Sequence, residues 1–292
     1  MGYADEIFKG KCRRILASKD LIKTRAKWKD EKTGELVPAY TKHIFGVMDR
    51  YPLGAGNEFP IMTLRKTNWE NALDEILWIY QKQSNNIHEL KSHIWDAWAD
   101  EDGFIGKAYG WQLGRLYYQK DLDTMMNQVD RARWDLVHDP FSRRIIISMW
   151  NVKDLQEMNL QPCAYSLTFN VSERDDGEKV LSAILNQRSQ DMLTASNWNV
   201  VQYSFLLMLF ARDCGMIPGE LIHVIGDCHI YDKHLELVEE MISKEALTEV
   251  PIIGKDVELN PYLNDFYDAR IEDFKVSNYK YLDFNHKIPV AV

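Results

Sequence analysis

The sequence predicts an α/β (α+β) fold in one domain that covers residues 1–292. Apolar residues recur every three to four positions from Trp69 to Tyr80, which is typical of an amphipathic helix. After Cys163 they recur at every second position, which is typical of a half-buried strand. A chain of 292 residues, 46% of them hydrophobic, can bury one large core, and no linker-like segment divides it.

Composition limits the classes of function. A formal net charge of −9 and a pI near 5.4 argue against a surface that binds nucleic acid or an anionic membrane. The amino terminus lacks the apolar core of a signal peptide, and no apolar run approaches the roughly 20 residues of a membrane span. We expect a cytoplasmic protein with reduced thiols and no metal, because its cysteines show no paired spacing: Cys12, Cys163, Cys214 and Cys228.

The first third of the chain contains a mixed stretch and a helix. Residues 21–51 alternate in polarity around a turn near Thr33–Gly34, and Arg25 is expected in a loop-like segment. The helix from Trp69 to Tyr80 has Glu75 close to its apolar side. Glu75 is therefore either a salt-bridged carboxylate on the helix flank or a group with a raised pKa that transfers protons.

The middle of the chain contains a second helix and a short buried strand. Residues 122–138 have helical periodicity that ends at Asp139–Pro140. Arg143 and Arg144 then lead into the apolar run Ile145–Trp150, which predicts a buried strand. Adjacent residues on a strand point to opposite faces, so at least one of these arginines should meet an anion or a protein edge.

A thiol follows a proline where the next strand begins. Cys163 lies in the stretch Leu160–Tyr165, and the alternation after it predicts a strand that ends in an Asp-Gly hairpin turn. A return strand is expected over Val180–Gln187. Cys163 is either a buried structural cysteine or a nucleophile that faces the pocket formed by the loops.

The last third contains a core helix and another strand. Asn199 begins a helix, from Val200 to about Cys214, that is apolar on nearly all sides and therefore buried. A strand over Glu220–Ile225 follows it. Cys228, His229 and His234 have no recognised metal-ligand spacing, and the apolar end Ile288–Val292 should pack against the protein.

These stretches, in this order, resemble thymidylate synthases over nearly the whole chain. The most specific matches are Pro162–Cys163, Arg188–Asp191, Asn199 with Tyr203, and Gly226–Tyr231, and the QPCAY and NVVQY forms are similar to variants of some bacilli and their phages. The resemblance implies one catalytic domain built on a large mixed twisted sheet with helices on one face. It also implies a homodimer packed sheet to sheet.

The resemblance implies reductive methylation of dUMP to dTMP, with 5,10-methylenetetrahydrofolate as the carbon and hydride donor. Cys163 would add to uracil C6 as a thiolate whose pKa is lowered by the arginines that hold the phosphate. Glu75 and Tyr109 would move protons. The nucleotide would contact Arg25, Arg188, Ser189, Asp191, Asn199, His229 and Tyr231 of one subunit, with Arg143 and Arg144 donated by the other.

The resemblance also implies a folate-facing wall and exposes three departures from the usual pattern. The wall would contain Trp95, Trp98, Leu160, Asp191, Ala195, Arg65, Val290, Ala291 and Val292. Ala164 stands where many relatives have histidine, and Arg65 where a lysine is usual. Thr194–Trp198 replaces the familiar Leu-Gly-x-Pro-Phe, a change that could reshape the cofactor pocket.

Two other functions remain open at this point. A deoxyuridylate hydroxymethylase would use the same residues but quench the intermediate with water. The altered stretch Thr194–Trp198 is the reason to retain this alternative. A catalytically silent relative that binds a nucleotide or RNA would not need Cys163 or Glu75. A thiol hydrolase using Cys163 and His229 lacks an evident residue to orient the histidine.

Overall fold

The computed structural model describes residues 2–19, 21–30, 32–53, 59–246, 257–263 and 265–291. Its α-helices are α1 (Tyr3–Leu16), α2 (Trp69–Tyr80), α3 (Gly110–Gly114), α4 (Gln128–His138), α5 (Ser196–Asp213) and α6 (Leu235–Ser243). Its strands are β1 (Ile22–Lys29), β2 (Leu36–Pro52), β3 (Tyr117–Gln119), β4 (Thr124–Met126), β5 (Ile146–Ser148), β6 (Ala164–Glu173), β7 (Lys179–Asp191), β8 (Ile217–Tyr231), β9 (Val257–Leu259) and β10 (Phe274–Val276). No helix in these ranges is long and apolar enough to cross a membrane.

Six strands form one mixed sheet in the order β1-β2-β8-β7-β6-β5. β7 and β8 are parallel, and the other neighbours are antiparallel. The buried helix α5 connects the two parallel strands and packs on both of them, and α1 packs on β2 and β8. The predicted mixture of helices and strands around a large mixed sheet is confirmed.

The other face of the sheet carries exposed apolar side chains in the part of the chain that the structure describes. Pairing places Ile146, Thr168, Ile184 and Ile222 in one row across four strands. Ile146 is 52% exposed and Ile184 is 36% exposed, and Met48 on β2 is 60% exposed. Exposed apolar residues on neighbouring strands of one face form the kind of patch that a partner usually covers.

Several element boundaries differ from the sequence prediction. The helix expected over 122–138 begins only at Gln128, where Asn127 caps it by accepting the Asp130 N–H at 2.8 Å. Met125 instead belongs to the exposed hairpin of β3 and β4. The apolar run Ile145–Trp150 forms only the short edge strand β5, with Ile146 exposed, because the sheet ends there.

The strand after Cys163 is confirmed, but it changes phase near its start. Leu167, Phe169 and Val171 are buried, as the alternation predicts. Between Ala164 and Ser166 the pairing with β7 shifts by one residue, which is a β-bulge. As a result Ala164, rather than Tyr165, points into the core and is only 4% exposed.

Candidate active site

The candidate site lies at one end of the sheet, where three strands bring their polar residues together. β7 and β8 both end there, with Asp191 opposite His229, and β6 begins there because Ala164 pairs with Gln187. Ligand sites in α/β proteins commonly lie beyond the carboxyl ends of parallel strands. Cys163, immediately before β6, is therefore held beside residues of both parallel strands.

The backbone around Cys163 is fixed by two side chains. The Cys163 N–H donates to Tyr109 Oη at 2.9 Å, and its carbonyl accepts the Arg188 N–H at 2.8 Å. The Arg188 guanidinium donates from Nε to the Pro162 carbonyl at 3.0 Å and from Nη2 to the Gln161 carbonyl at 2.8 Å. These bonds hold the loop in place, and Cys163 taken as a whole residue is partly exposed.

The thiol of Cys163 titrates above its ordinary range in the single chain. Burial raises the pKa of Cys163 above 9.0, while the Arg188 charge and the Tyr109 hydroxyl act in the opposite direction. The expectation of a lowered pKa is therefore wrong for one chain alone. One guanidinium, which also binds two carbonyls, does not offset the loss of hydration around the sulfur.

Tyr109 lies between the thiol and the carboxyl group of Glu75. Its backbone φ of +45° is unusual for a residue other than glycine and occurs just before α3. The ring is 6% exposed and packs edge to face on Trp95, with the centroids 5.1 Å apart. Burial and the nearby Cys163 and Glu75 raise the pKa of Tyr109 well above 10.0, so the phenol stays neutral and can relay a hydrogen bond.

Glu75 is a buried carboxyl group with two indole partners. Trp95 Nε1 donates to Oε1 at 2.9 Å, and Trp198 Nε1 donates to Oε2 at 2.6 Å. Burial raises the pKa of Glu75 to about 7, although these bonds and the Gln202 amide lower it. The predicted raised pKa is confirmed, and Glu75 has no ion-pair partner among the described residues. Such a group is partly protonated near neutral pH, as proton transfer requires.

The Asn199 amide is oriented by buried side chains. Gln187 Nε2 donates to Asn199 Oδ1 at 3.2 Å and to the Ser189 carbonyl at 2.9 Å, while Asn199 Nδ2 donates to Gln202 Oε1 at 3.1 Å. His223 is fully buried, its pKa lies well below 6.5 because of burial, and its Nε2 is 2.8 Å from Gln187 Oε1. Asn199 keeps one N–H and one oxygen lone pair for a ligand.

His229 and Tyr231 present two further hydrogen-bonding groups. Asp227 Oδ1 is 2.7 Å from His229 Nδ1, and its other oxygen is 2.5 Å from His43 Nδ1. Although burial opposes it, these two histidines keep the pKa of Asp227 below 3.8. The His229 and Tyr231 rings contact edge to face at 5.0 Å, and burial raises the pKa of Tyr231 to about 12. His229 Nε2 and the Tyr231 hydroxyl are thus available to a ligand.

Asp191 and His234 connect the end of β7 to the C-terminal segment. Asp191 Oδ1 accepts the Leu193 N–H at 2.9 Å and lies 3.7 Å from His234 Nδ1. Burial would raise the pKa of Asp191, but the nearby His234 imidazole keeps it below 3.8. His234 Nε2 is 2.8 Å from the Pro289 carbonyl.

The C-terminal segment packs on the protein at its beginning, as predicted, but not at Val290. Ile288 packs against the core cluster around α1 and α6. Val290 is 57% exposed and Ala291 is partly exposed, whereas Val292 lies outside the described residues. Asp191, assigned to both nucleotide and folate by resemblance, therefore lies where the tail approaches the site.

Comparisons with known proteins identify the family. A thymidylate synthase family model matches residues 8–292. The chain belongs to the thymidylate synthase family. It is 37% identical to thymidylate synthase 1 of Bacillus spizizenii (91% of this chain, 90% of the relative) and 36% identical to the Bacillus licheniformis enzyme (97% of each). The solved structure of thermostable thymidylate synthase A from Bacillus subtilis matches with a TM-score of 0.86, 35% identity and 99% coverage of each chain.

Membership of this family makes the chain a methyltransferase. The predicted similarity to synthases of bacilli and their phages is confirmed. A synthase from Bacillus phage phi3T is 37% identical over 89% of this chain and 88% of the relative. Among the described residues, no group of three or more histidine, cysteine, aspartate or glutamate side chains is placed to hold a metal ion.

Of the residues assigned to the folate side by resemblance to this family, Trp95 bonds to Glu75 and Trp98 lies next to Trp95. Trp95 and Trp98 contact edge to face at 5.9 Å, Leu160 packs on the same core, and Ala195 caps α5. Arg65 is less open than its assignment suggests. Its Nη2 donates to the Leu193 carbonyl at 2.6 Å, and burial lowers the pKa of its guanidinium.

Three of the predicted phosphate ligands are exposed in the single chain. Arg25 is on the exposed edge strand β1, at a pairing irregularity, rather than in a loop. Arg143 and Arg144 are exposed and have no ion-pair partner among the described residues. Phe169, six residues along β6 from Cys163, donates its N–H to Ile145, which puts Arg144 about 20 Å from the thiol along the strand.

Sequence reasoning missed several residues that shape this thymidylate synthase site. Trp198 and Gln187 were not assigned roles, although Trp198 lies in the stretch that departs from the family pattern. Gly226 also matters, since a Cβ there would lie 2.8 Å from the Arg188 carbonyl oxygen, so a larger residue would push β8 from β7. A buried histidine such as His223 carries no distinctive sequence signal at all.

Proposed function

We propose that the site around Cys163 converts dUMP to dTMP. The observation that best supports this is a cysteine held by an arginine and a tyrosine, with that tyrosine next to a buried carboxyl whose pKa is about 7. This arrangement provides a nucleophile, a neutral hydrogen-bond relay and a proton carrier in one pocket. 5,10-Methylenetetrahydrofolate is the co-substrate that supplies the carbon and the hydride.

In this proposal Cys163 adds to C6 of uracil, a carbon that is a poor electrophile. The addition makes C5 nucleophilic enough to form the new carbon–carbon bond, and the C5 proton then leaves with help from Tyr109. Glu75 exchanges protons with the pyrimidine through water. Because the thiol pKa is raised in the single chain even with Arg188 beside it, further positive charge near the sulfur is needed, and Arg143 and Arg144 of the second subunit are its sources.

Asn199 reads the base in this proposal. Its remaining N–H donates to O4, and its remaining lone pair accepts the N3–H, a pattern that uracil offers and cytosine inverts. His229 and Tyr231 bind the ribose 3′-hydroxyl, and Ser189 with the arginines binds the phosphate. Trp95, Trp98, Leu160, Asp191 and Ala195 face the folate, with Arg65 near its tail and residues 290–292 closing the pocket.

The proposed assembly is a homodimer joined through the sheet face that carries exposed apolar side chains. The exposed row across β5, β6, β7 and β8 gives an apolar surface that a second copy would bury. The distance of Arg144 from Cys163 in its own chain supports its donation to the partner's site. The four free cysteines support a reducing, cytoplasmic compartment.

The test is a reaction of purified protein with dUMP and methylenetetrahydrofolate. Absorbance reports dihydrofolate, and mass spectrometry identifies the nucleotide product. Formation of dTMP with dihydrofolate is the expected result. Hydroxymethyl-dUMP without dihydrofolate would replace the proposal with a hydroxymethylase, and the absence of any product from folded dimer would indicate a binding protein.

A further inference from the structure

The stretch Thr194–Trp198, which departs from the usual family pattern, supplies two side chains that organise the pocket. Asn197 is only 7% exposed and joins the start of α5 to the loop before α2. Its Oδ1 accepts the Met62 N–H at 2.9 Å and the Thr67 hydroxyl at 2.9 Å, and its Nδ2 donates to the Pro60 carbonyl at 3.0 Å. The first turn of α5 is therefore anchored at three points.

Trp198, the next residue, uses this anchored turn to reach Glu75. The distance of 2.6 Å from Trp198 Nε1 to Glu75 Oε2 is short for a hydrogen bond from nitrogen to oxygen. It is shorter than the 2.9 Å bond from Trp95 to the other oxygen. Phenylalanine, the familiar residue at this position, has no N–H and could not make this contact.

Two indole partners restrict what the Glu75 proton can do. An indole N–H is only a donor, so neither tryptophan can accept a proton from Glu75. When Glu75 is protonated, its O–H must therefore point to a third group, such as water or a ligand in the pocket. One lone pair of each oxygen is occupied, and this fixes the rotation of the carboxyl plane.

We propose that Trp198 is a positioning residue for Glu75, placed by the Asn197 anchor, and that it holds the carboxyl group in its proton-transferring orientation. The inference rests on the proposed function, because it assumes that Glu75 moves protons in the reaction. It gives the departure at 194–198 a specific role in the chemistry of the carboxyl group.

Other titratable groups face Glu75 from the elements packed around it. Asp74 adjoins it on α2, Tyr109 precedes α3, and Tyr203 lies on α5. Burial raises the pKa of both tyrosines well above 10.0, and the pKa of Cys163 beside Tyr109 is above 9.0. These three groups therefore remain protonated while Glu75 titrates near pH 7, and Asp74 accepts the Lys91 backbone N–H at 2.9 Å.

The test is the variant Trp198→Phe, which keeps an aromatic ring and removes only the donor. Loss of a hydrogen bond to a charged group should raise the pKa of Glu75 by about one to two units. The apparent pKa near 7 in the pH–rate profile should rise by the same amount. At pH 7 the variant should have a lower kcat and nearly the same KM for dUMP. Trp134→Phe on α4, where Trp134 stacks on His138, is the matched control and should leave the apparent pKa unchanged.

A second readout does not depend on activity. The Glu75 carboxyl signal, assigned by its loss in Glu75→Gln, is titrated by ¹³C NMR in the wild-type protein and in Trp198→Phe. An unchanged carboxyl pKa and an unchanged pH–rate profile in the folded variant would overturn the inference even if the protein makes dTMP. If the wild-type protein makes no dTMP, the proposed function fails, and the carboxyl titration still decides whether Trp198 acts on Glu75.

Asn197→Ala provides a further check, because it keeps the indole and releases its anchor. The Glu75 pKa should rise in this variant too, by less than in Trp198→Phe. If Glu75 keeps its wild-type pKa in folded Asn197→Ala, the bonds of Asn197 are not what places Trp198 against Glu75. Circular dichroism confirms that each variant is folded before its titration is interpreted.

Discussion

At the amino end of β6, the thiol of Cys163 is held through its backbone rather than through its side chain. Arg188 and Tyr109 bind the peptide groups on either side of it, so truncating the side chain leaves the loop intact. We expect Cys163→Ala to bind dUMP with nearly wild-type affinity and to lose turnover. Calorimetric titration and the dTMP assay measure the two properties, and full turnover by the variant would rule out the nucleophile assignment.

Glu75 should also affect the stability of the fold in a pH-dependent way. Its pKa is 4.5 when unperturbed and about 7 in the folded chain, so the folded state binds its proton more tightly. The stability contributed by this proton is complete below pH 4.5 and is lost as the pH rises through 7, a change of about 3 kcal/mol.

Urea unfolding at several pH values between 4.5 and 8 measures this effect. In Glu75→Gln this dependence of the free energy of unfolding on pH should disappear, because glutamine does not titrate. Equal pH dependence in the two proteins would show that Glu75 is not the group that takes up the proton.

In the proposed function, base selection depends on the direction of the hydrogen bonds that Asn199 makes. Asn199→Asp should shift preference from dUMP toward dCMP, since a protonated carboxyl can satisfy the cytosine pattern. The measurement is the ratio of kcat/KM for the two nucleotides. Unchanged selectivity would mean that another group reads the base.

Among the secondary-structure elements, α5 contributes most to the site. Its first turn carries Trp198 and Asn199, and its body is buried nearly all round between α2 and the parallel strands. The sequence predicted this burial because almost every position from Val200 to Ala211 is apolar. It did not predict the anchoring of the first turn, because the bonds of Asn197 go to residues about 130 positions away.

The C-terminal segment is the second element with a specific contact to the site. His234 reaches both Asp191 and the Pro289 carbonyl, so it connects the end of β7 to the tail. His234→Ala should weaken closure of the tail, raising the KM for methylenetetrahydrofolate several-fold with little change in dUMP affinity. Equilibrium binding of dUMP is the control, and an unchanged folate KM would show that the tail closes without this bond.

Local patterns predicted the elements with strong periodicity and failed at their edges. The helix Trp69–Tyr80 has the predicted bounds because its apolar stripe and Asn68 cap are both local signals. Arg25 was misplaced in a loop, because an exposed edge strand lacks the alternation that a buried face imposes. The lowered pKa of Cys163 was wrong for one chain because burial around the sulfur depends on the tertiary packing.

At the scale of the whole molecule, the proposed homodimer completes each phosphate site with Arg143 and Arg144 of the second subunit. Two inactive variants should therefore complement each other when they are unfolded and refolded together. Cys163→Ala supplies intact arginines, and the double variant Arg143→Ala, Arg144→Ala supplies the thiol. Random pairing makes half of the dimers mixed, and each mixed dimer has one intact site of its two. Activity should therefore recover to about a quarter of wild type.

The control is the same two proteins mixed without unfolding, which should stay inactive while the subunits do not exchange. Sedimentation confirms that both preparations are dimers. If refolded mixtures remain inactive, Arg143 and Arg144 do not act across the interface.

The β-bulge at the start of β6 also constrains how this protein can evolve. By turning residue 164 into the core, it makes a small side chain necessary at a position where many relatives have histidine. Ala164→His would overpack that space at a cost of about 1–3 kcal/mol. A histidine at this position would therefore be tolerated best together with a compensating change in the strand that makes room for its ring.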